Sequence, residues 1–179
     1  MQTSDDRLHG PLRDEISEGV TSVGLVRPAR VFDAIFVGEY LRETDRKELS
    51  ALGHRDHLST VLTSRVISRD CFAVVRRSTS QPVALFGVAS HQLQVGVGIP
   101  WLLATDGLEE LWKSFAAQSP YWVRRLMAGY EVLSNVVWEK NKLAIRWLKW
   151  LGFSFPGHTL QGLHGERFLY FELKKNDNV

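Results

Sequence analysis

Four carboxylates of this sequence stand at the end of a strand-like run or near the start of a short helical run. Asp106 follows the apolar residues 98–104, and Glu139 follows the apolar residues 133–138. A carboxylate in such a place can act as a general base, and the alternative for each is a solvated or helix-capping side chain. The other two lie in one helical segment: Glu43 and Glu48.

Histidine and cysteine offer less chemistry. His54 and His57 are three residues apart, but no further ligand is close in sequence, so we expect a surface loop and no metal site. Cys71 is the only cysteine, which excludes an intrachain disulfide and a four-cysteine zinc site. Because Cys71 lies in the apolar run 71–75, the sequence favours a buried small hydrophobic residue over a nucleophile.

Charged residues recur at helical spacing after residue 41. Arg42, Asp45, Arg46 and Glu48 are separated by intervals that bring side chains together on one helix, which predicts intrahelical ion pairs. Arg42, Asp45 and Glu48 could also line an acceptor groove or a partner surface. The sequence leaves both interpretations open.

The overall charge restricts the possible partners. The chain of 179 residues has 22 basic and 20 acidic residues and a net charge of +2, so its long-range field gives no case for nucleic acid. No run of about 18 apolar residues is present, which predicts no membrane-spanning helix. The length fits one domain. We assign residues 1–20 to a flexible or docked N-terminal arm and residues 21–175 to the folded domain.

The hydrophobic period alternates between that of helices and that of strands. This order predicts an α/β fold in which a central mixed sheet carries helices on both faces. The predicted strands are residues 21–27, 71–76, 82–90, 98–104, 133–138 and 168–173, with a short strand near 153–155. The predicted helices are residues 28–41, 44–53 with a capping box at Thr44, 58–65, 105–126 kinked or divided by Pro120, and 141–151 ended by Gly152.

The segment from Asn141 to Phe153, NKLAIRWLKWLGF, resembles the last-helix signature of the GCN5-related N-acetyltransferases (GNAT). Further stretches resemble, in order, tailed-phage proteins related to the small internal virion protein of T7-like podoviruses. Together these matches cover about residues 25–173. The phage-like stretches are residues 41–48 (LRETDRKE), 82–87 (PVALFG), 100–106 (PWLLATD) and 133–141 (LSNVVWEKN).

This resemblance implies a GNAT-like fold and, in an active member, a glycine-rich turn that binds the pyrophosphate of acetyl-CoA at a helix N-terminus. The matching stretch here is ATDGLEEL, residues 104–111, with a single glycine and no basic residue. Its carboxylates would repel a pyrophosphate and would instead stabilise the helix. The residues that would contact the cofactor are Ala104, Thr105, Gly107 and Asn141, and the carboxylates of the turn are Asp106, Glu109 and Glu110.

A second departure concerns proton transfer. Leu148 stands where the family usually has the tyrosine that reprotonates the leaving thiolate, and leucine cannot donate a proton. For an active enzyme the resemblance leaves Glu139 or Asp106 as the base, with Glu43 and Glu48 in the region that frames the acceptor.

These observations lead us to expect a bacteriophage protein with a degenerate acetyl-CoA site. It would be virion-associated, or an internal or assembly protein, with no cofactor. Its partners would be other phage structural or ejection proteins, in the virion or the host cytoplasm. The alternative is an active N-acetyltransferase that transfers an acetyl group from acetyl-CoA to a host protein or a small amine. Nucleic-acid binding is supported only by isolated basic pairs and ranks below both.

Overall fold

The computed structural model describes residues 24–176. The predicted arm, residues 1–20, and the first residues of the predicted first strand lie outside the described residues. The elements in chain order are β1 Gly24–Pro28, α1 Val31–Glu39, α2 Glu43–Ala51, α3 His57–Ile67, β2 Ser68–Arg76, β3 Pro82–Ser90, β4 Val97–Ala104, α4 Leu108–Met127, β5 Val132–Trp138, α5 Lys142–Trp150, β6 Thr159–Gln161 and β7 Arg167–Lys174.

The strands form one seven-stranded mixed sheet in the order β1-β2-β3-β4-β5-β7-β6. All neighbours are antiparallel except β4 and β5, which are parallel and are joined by α4. We call the edge of the sheet where β4 and β5 end the upper edge, and the edge where they begin the lower edge. The predicted α/β fold with a central mixed sheet is confirmed.

Alternating side chains of the strands fill two cores, one on each face of the sheet. Phe72 and Val74 of β2 pack with α4 and α5 in the larger core, whereas Ala73 and Val75 pack with α1 and α3 in the smaller one. Helices therefore cover both faces, as the sequence pattern predicts.

Two local predictions are wrong. The capping box at Thr44 is absent, because α2 begins one residue earlier, at Glu43, with Arg42 in the N-cap position. The short strand that pairs with the outer side of β7 is Thr159–Gln161, whereas β5 pairs with its other side. The predicted strand near residues 153–155 is reduced to a single bridge between Ser154 and Glu172.

Pro120 neither ends nor divides the long helix, which continues from Leu108 to Met127. A proline inside a helix removes one main-chain hydrogen bond, so something else must hold the helix together. Phe115 precedes the proline and Trp122 follows it, and both are buried in the larger core. The apolar face of α4 thus fixes the helix to the sheet on both sides of Pro120, and tertiary packing outweighs local propensity.

Candidate functional site

β4 and β5 separate soon after they begin, and the gap between them is the candidate functional site. They pair only at Val97↔Val132 and Gly98↔Leu133, next to the lower edge. Beyond these positions the strands run to Ala104 and Trp138 without register partners across the gap. We call this gap the cleft.

The main-chain groups of β4 that face the cleft belong to alternate residues, because the residues between them bond to β3. Beyond Gly98 these residues are Pro100, Leu102 and Ala104. Pro100 has no N–H, and its carbonyl accepts a hydrogen bond of 3.0 Å from Nδ2 of Asn135. Leu102 lies between Pro100 and Ala104, and side chains of this protein form hydrogen bonds with the main-chain groups of both neighbours.

The carboxylate of Asp45 occupies the upper end of β4. Its Oδ2 accepts a hydrogen bond of 2.8 Å from the N–H of Ala104, and the N–H of Arg42 donates to the Ala104 carbonyl over 2.9 Å. Asp45 is 4% exposed and lies 3.0 Å from Nε of Arg42, so the predicted intrahelical pair is present. Burial raises the pKa of Asp45 to about 6, although Arg42 and the Ala104 amide both favour the carboxylate.

Glu48 occupies the corresponding place on β5. Its Oε1 accepts a hydrogen bond of 2.7 Å from the N–H of Trp138, the last residue of the strand. Its Oε2 accepts one of 2.9 Å from Nδ2 of Asn141, whose Oδ1 accepts from the N–H of Ala144 and caps α5. Helix α2 therefore lies across the open end of the cleft and holds both strands through carboxylates one turn apart.

Asn135 bridges the cleft near the point where the two strands separate. Its Oδ1 accepts a hydrogen bond of 2.8 Å from the N–H of Val136, on β5, while its Nδ2 donates to Pro100 on β4. One side-chain amide thus connects the two strands where their main chains no longer meet. An asparagine within the apolar run 132–138 is the only sequence signal for this role, and our sequence analysis missed it.

In the turn that precedes α4, the main-chain N–H groups donate hydrogen bonds to oxygens of the same turn. The N–H of Gly107 donates to Oγ1 of Thr105, that of Leu108 to the Thr105 carbonyl, and that of Glu109 to the Asp106 carbonyl, at 3.1–3.2 Å. These are the donors that a helix start would offer to a phosphate. A Cβ on Gly107 would lie 3.0 Å from Cγ1 of Val83, so the glycine permits close packing against β3.

Arg76 is a basic residue near this turn that the local sequence does not reveal, because it comes from the end of β2. Its Nη2 lies 2.8 Å from Oε2 of Glu110 and its Nη1 donates to the side chain of Gln81. The guanidinium is therefore engaged by an acidic residue of α4. The residues present do not fit an anionic cofactor at this turn, and we assign no chemical step to one.

The two predicted general bases lie beyond the strand ends. Glu139 follows β5, and its Oε1 pairs with Arg167 at 3.3 Å. Asp106 follows β4 and is exposed. Leu148 is buried in the larger core, so no proton donor stands at that position. The assignments of Glu139 and Asp106 as bases, and of Arg42, Asp45 and Glu48 as an acceptor or partner surface, stay predictions.

A pocket of about 270 Å³ lies beside the cleft, between α2 and the turn that joins β6 to β7. Trp138 and Ala51 form its apolar wall. The charged and polar groups around it favour neither sign of ligand charge, because Lys47 pairs with Glu43 and the carboxylate of Glu166 offsets Arg46. These groups are Arg46, Lys47, Ser50, His164 and Glu166.

Cys71, His54 and His57 line neither the cleft nor the pocket beside it. Burial raises the pKa of the Cys71 thiol to about 12, so the thiol stays protonated at neutral pH. His57 lies 2.9 Å from Oγ of Ser50 through its Nε2. Within residues 24–176, no group of three or more His, Cys, Asp or Glu side chains could hold a metal ion. In the same range, no helix has both the length and the apolar character that crossing a bilayer requires.

Solved structures with a similar fold include several acetyltransferases. A proposed acetyltransferase from Acinetobacter baylyi ADP1 superposes with a TM-score of 0.68 at 13% identity, covering 88% of this chain and 97% of that one. The spermidine N-acetyltransferase of Vibrio cholerae, solved with CoA and spermine, gives 0.64 at 13% identity over 88% and 98%. A GNAT-family acetyltransferase from Bacillus anthracis gives 0.55 at 11% identity over 85% and 95%.

The chain has the GNAT fold. No protein-family model matches the sequence, and none of the curated protein sequences does. At identities this low, the structural likeness establishes the fold alone.

Proposed function

We propose that this chain is a bacteriophage protein that uses the GNAT fold in the virion or in virion assembly, with a cofactor cleft closed by its own side chains. The phage part rests on the sequence resemblance of residues 41–48, 82–87, 100–106 and 133–141. The observation that carries the rest is the closure of the cleft. Asp45, Glu48 and Asn135 hold main-chain groups of β4 and β5 that an extended cofactor arm would need.

The second support is electrostatic. A pyrophosphate at the start of α4 would meet Asp106, Glu109 and Glu110, and the amide donors there are already used within the turn. Charge repulsion and the loss of these hydrogen bonds both oppose binding.

Titration calorimetry with acetyl-CoA tests the closed cleft. We expect a dissociation constant weaker than about 1 mM, which corresponds to a binding free energy of about −4 kcal/mol. A micromolar dissociation constant would overturn the proposal and support the active enzyme.

Mass spectrometry of purified particles tests the virion role. We expect the chain in mature particles or in assembly intermediates of the phage that encodes it. If the protein is abundant in the lysate but missing from particles at every assembly stage, the virion role is wrong.

The alternative function is an active N-acetyltransferase, and the pocket beside Trp138 favours it because an acceptor could lie there, next to the end of β5. Incubation with acetyl-CoA and a peptide library, read by mass, separates the two functions. Acetylated products that disappear in a Glu139→Gln variant would establish the enzyme.

A further inference from the structure

The lower edge of the sheet, opposite the cleft, carries exposed apolar side chains from three places: the start of α1, the end of α3 and the loop between β3 and β4. The strand registers place all three at this edge, because β1 and β3 end there and β2 and β4 begin there. The hydrogen bonds from Arg65 to the Ala29 carbonyl hold the start of α1 next to the end of α3. The exposed side chains are Val31, Phe32, Val66, Ile67, Leu93 and Val95.

The loop between β3 and β4 projects furthest. Leu93 is 90% exposed and Val95 is 104% exposed. Nδ1 of His91 accepts from the N–H groups of Leu93 and Gln94, so the loop has a defined conformation that presents these aliphatic side chains outward. Leu93 and Val95 thus project singly from this loop, and projecting aliphatic side chains of this kind can insert into a deformable apolar medium.

Among the residues 24–176, the charge of this edge is positive. The acidic residues Asp33, Asp70 and Glu131 are paired with Arg27, Arg69 and Lys175 in that order. Further basic residues therefore add unbalanced charge. These are Arg30 at the N-cap of α1 and Arg124 and Arg125 in the last turn of α4.

We propose that the lower edge docks on an anionic lipid surface, with Leu93, Val95 and Phe32 inserted among the lipids and the arginines against the headgroups. Apolar side chains inserted at the interface and basic residues near anionic headgroups add to the same binding free energy. This role goes beyond the proposed function and uses the end of the sheet away from the cleft.

Vesicle flotation with the full chain tests the docking. Vesicles of phosphatidylcholine with about 30% phosphatidylglycerol should carry the protein to the top of the gradient, and pure phosphatidylcholine vesicles should carry at least about tenfold less. The double variant Leu93→Ser/Val95→Ser should lower the partition constant on anionic vesicles by at least about tenfold. Arg30→Gln/Arg124→Gln should lower it by about tenfold as well.

The matched control is Leu160→Ser/Leu163→Ser, which removes two exposed leucines away from the lower edge and should leave flotation unchanged. Circular dichroism melts of every variant establish that the fold persists.

Three outcomes overturn the proposal. The first is no flotation of the wild-type chain with anionic vesicles. The second is equal flotation of the wild-type chain and the Leu93→Ser/Val95→Ser variant. The third is lipid-free self-association, seen by sedimentation, that the same variant abolishes, because a second copy of the chain would then cover this edge.

Discussion

Folding removes the carboxylate of Asp45 from water, and two groups of the protein partly replace the lost hydration. The Ala104 amide donates to one oxygen and the Arg42 guanidinium lies beside the other. Burial is the largest influence and raises the pKa of Asp45 from its ordinary value of 3.8 to about 6. The folded protein therefore binds a proton more tightly at this side chain than the unfolded chain does.

This difference predicts how stability depends on pH. Because the folded pKa is raised, the contribution of Asp45 is fully present below pH 3.8 and is lost as the pH rises through about 6. The loss amounts to about 3 kcal/mol of unfolding free energy. Urea unfolding of the wild type between pH 4.5 and pH 7, compared with Asp45→Asn, isolates this contribution.

Asn at position 45 keeps an oxygen for the Ala104 amide and does not titrate, so its curve should lie above that of the wild type increasingly as the pH rises. Parallel curves for the two proteins would contradict the assignment. A wild type that gains stability relative to Asp45→Asn toward pH 7 would reverse its sign.

Cys71 permits a kinetic prediction. With a pKa of about 12, its thiolate is far scarcer at pH 8 than that of an ordinary cysteine. We expect iodoacetamide to alkylate the native protein about a thousand times more slowly than the urea-unfolded chain at pH 8. Mass spectrometry of timed samples gives both rates, and comparable rates would show a reactive thiol.

At the scale of elements, α2 is the structural reason why the cleft is closed. The sequence predicts a short charged helix there, and the spacing predicts the Arg42–Asp45 pair, which is present. The sequence cannot give the direction in which Asp45 and Glu48 point. That direction follows from tertiary contacts with Ala104 and Trp138, which are 59 and 90 residues away.

Glu48 should therefore contribute more to stability than another carboxylate of the same helix. Glu48→Ala removes the acceptor of the Trp138 amide and of the Asn141 side chain, and we expect it to lower the unfolding free energy by about 2 kcal/mol. Glu43→Ala is the matched control, because its exposed side chain pairs with Lys47 at the protein surface, and it should lower the unfolding free energy by less than about 1 kcal/mol. Equal effects in urea unfolding would mean that Glu48 does not hold the cleft.

For Pro120 we predict a substitution that increases stability. The sequence suggests a break in α4 at this proline, but packing keeps the helix continuous. Pro120→Ala restores an N–H that can donate to the Ala116 carbonyl, at a place where α4 is already continuous. We expect the unfolding free energy to rise by at least about 1 kcal/mol. A destabilised variant in thermal or urea unfolding would show that the ring of Pro120 makes packing contacts worth more than the restored hydrogen bond.

For the whole molecule, local sequence patterns predict the sheet and the helices on its two faces, but they do not predict the contacts that close the cleft. Most strands and helices follow from periodicity because one face of each is buried, as with Phe72 and Val74 against Ala73 and Val75. Asn141 and Gly152 delimit α5 because a cap and a left-handed glycine, φ 92°, act within a few residues. The bonds from Asn135 to Pro100 and from Arg76 to Glu110 join distant segments, and no local signal specifies them.

Because these long-range contacts close the cleft, we expect acetyl-CoA to change the melting temperature of the protein very little. A ligand that binds only the folded state stabilises it by RT ln(1 + L/Kd), where L is the concentration of free ligand. At 1 mM acetyl-CoA, a dissociation constant weaker than about 1 mM shifts the melting temperature by no more than about 2 °C, whereas a 10 μM site would add about 2.7 kcal/mol and shift it by about 5–10 °C.

Differential scanning fluorimetry distinguishes these outcomes, and the Vibrio cholerae spermidine N-acetyltransferase, whose structure contains CoA, serves as the positive control. We expect a clear shift for that enzyme and almost none for this chain. If both shift alike, Asp45, Glu48 and Asn135 must release the main chains of β4 and β5 at little cost, and the cleft is then a working cofactor site.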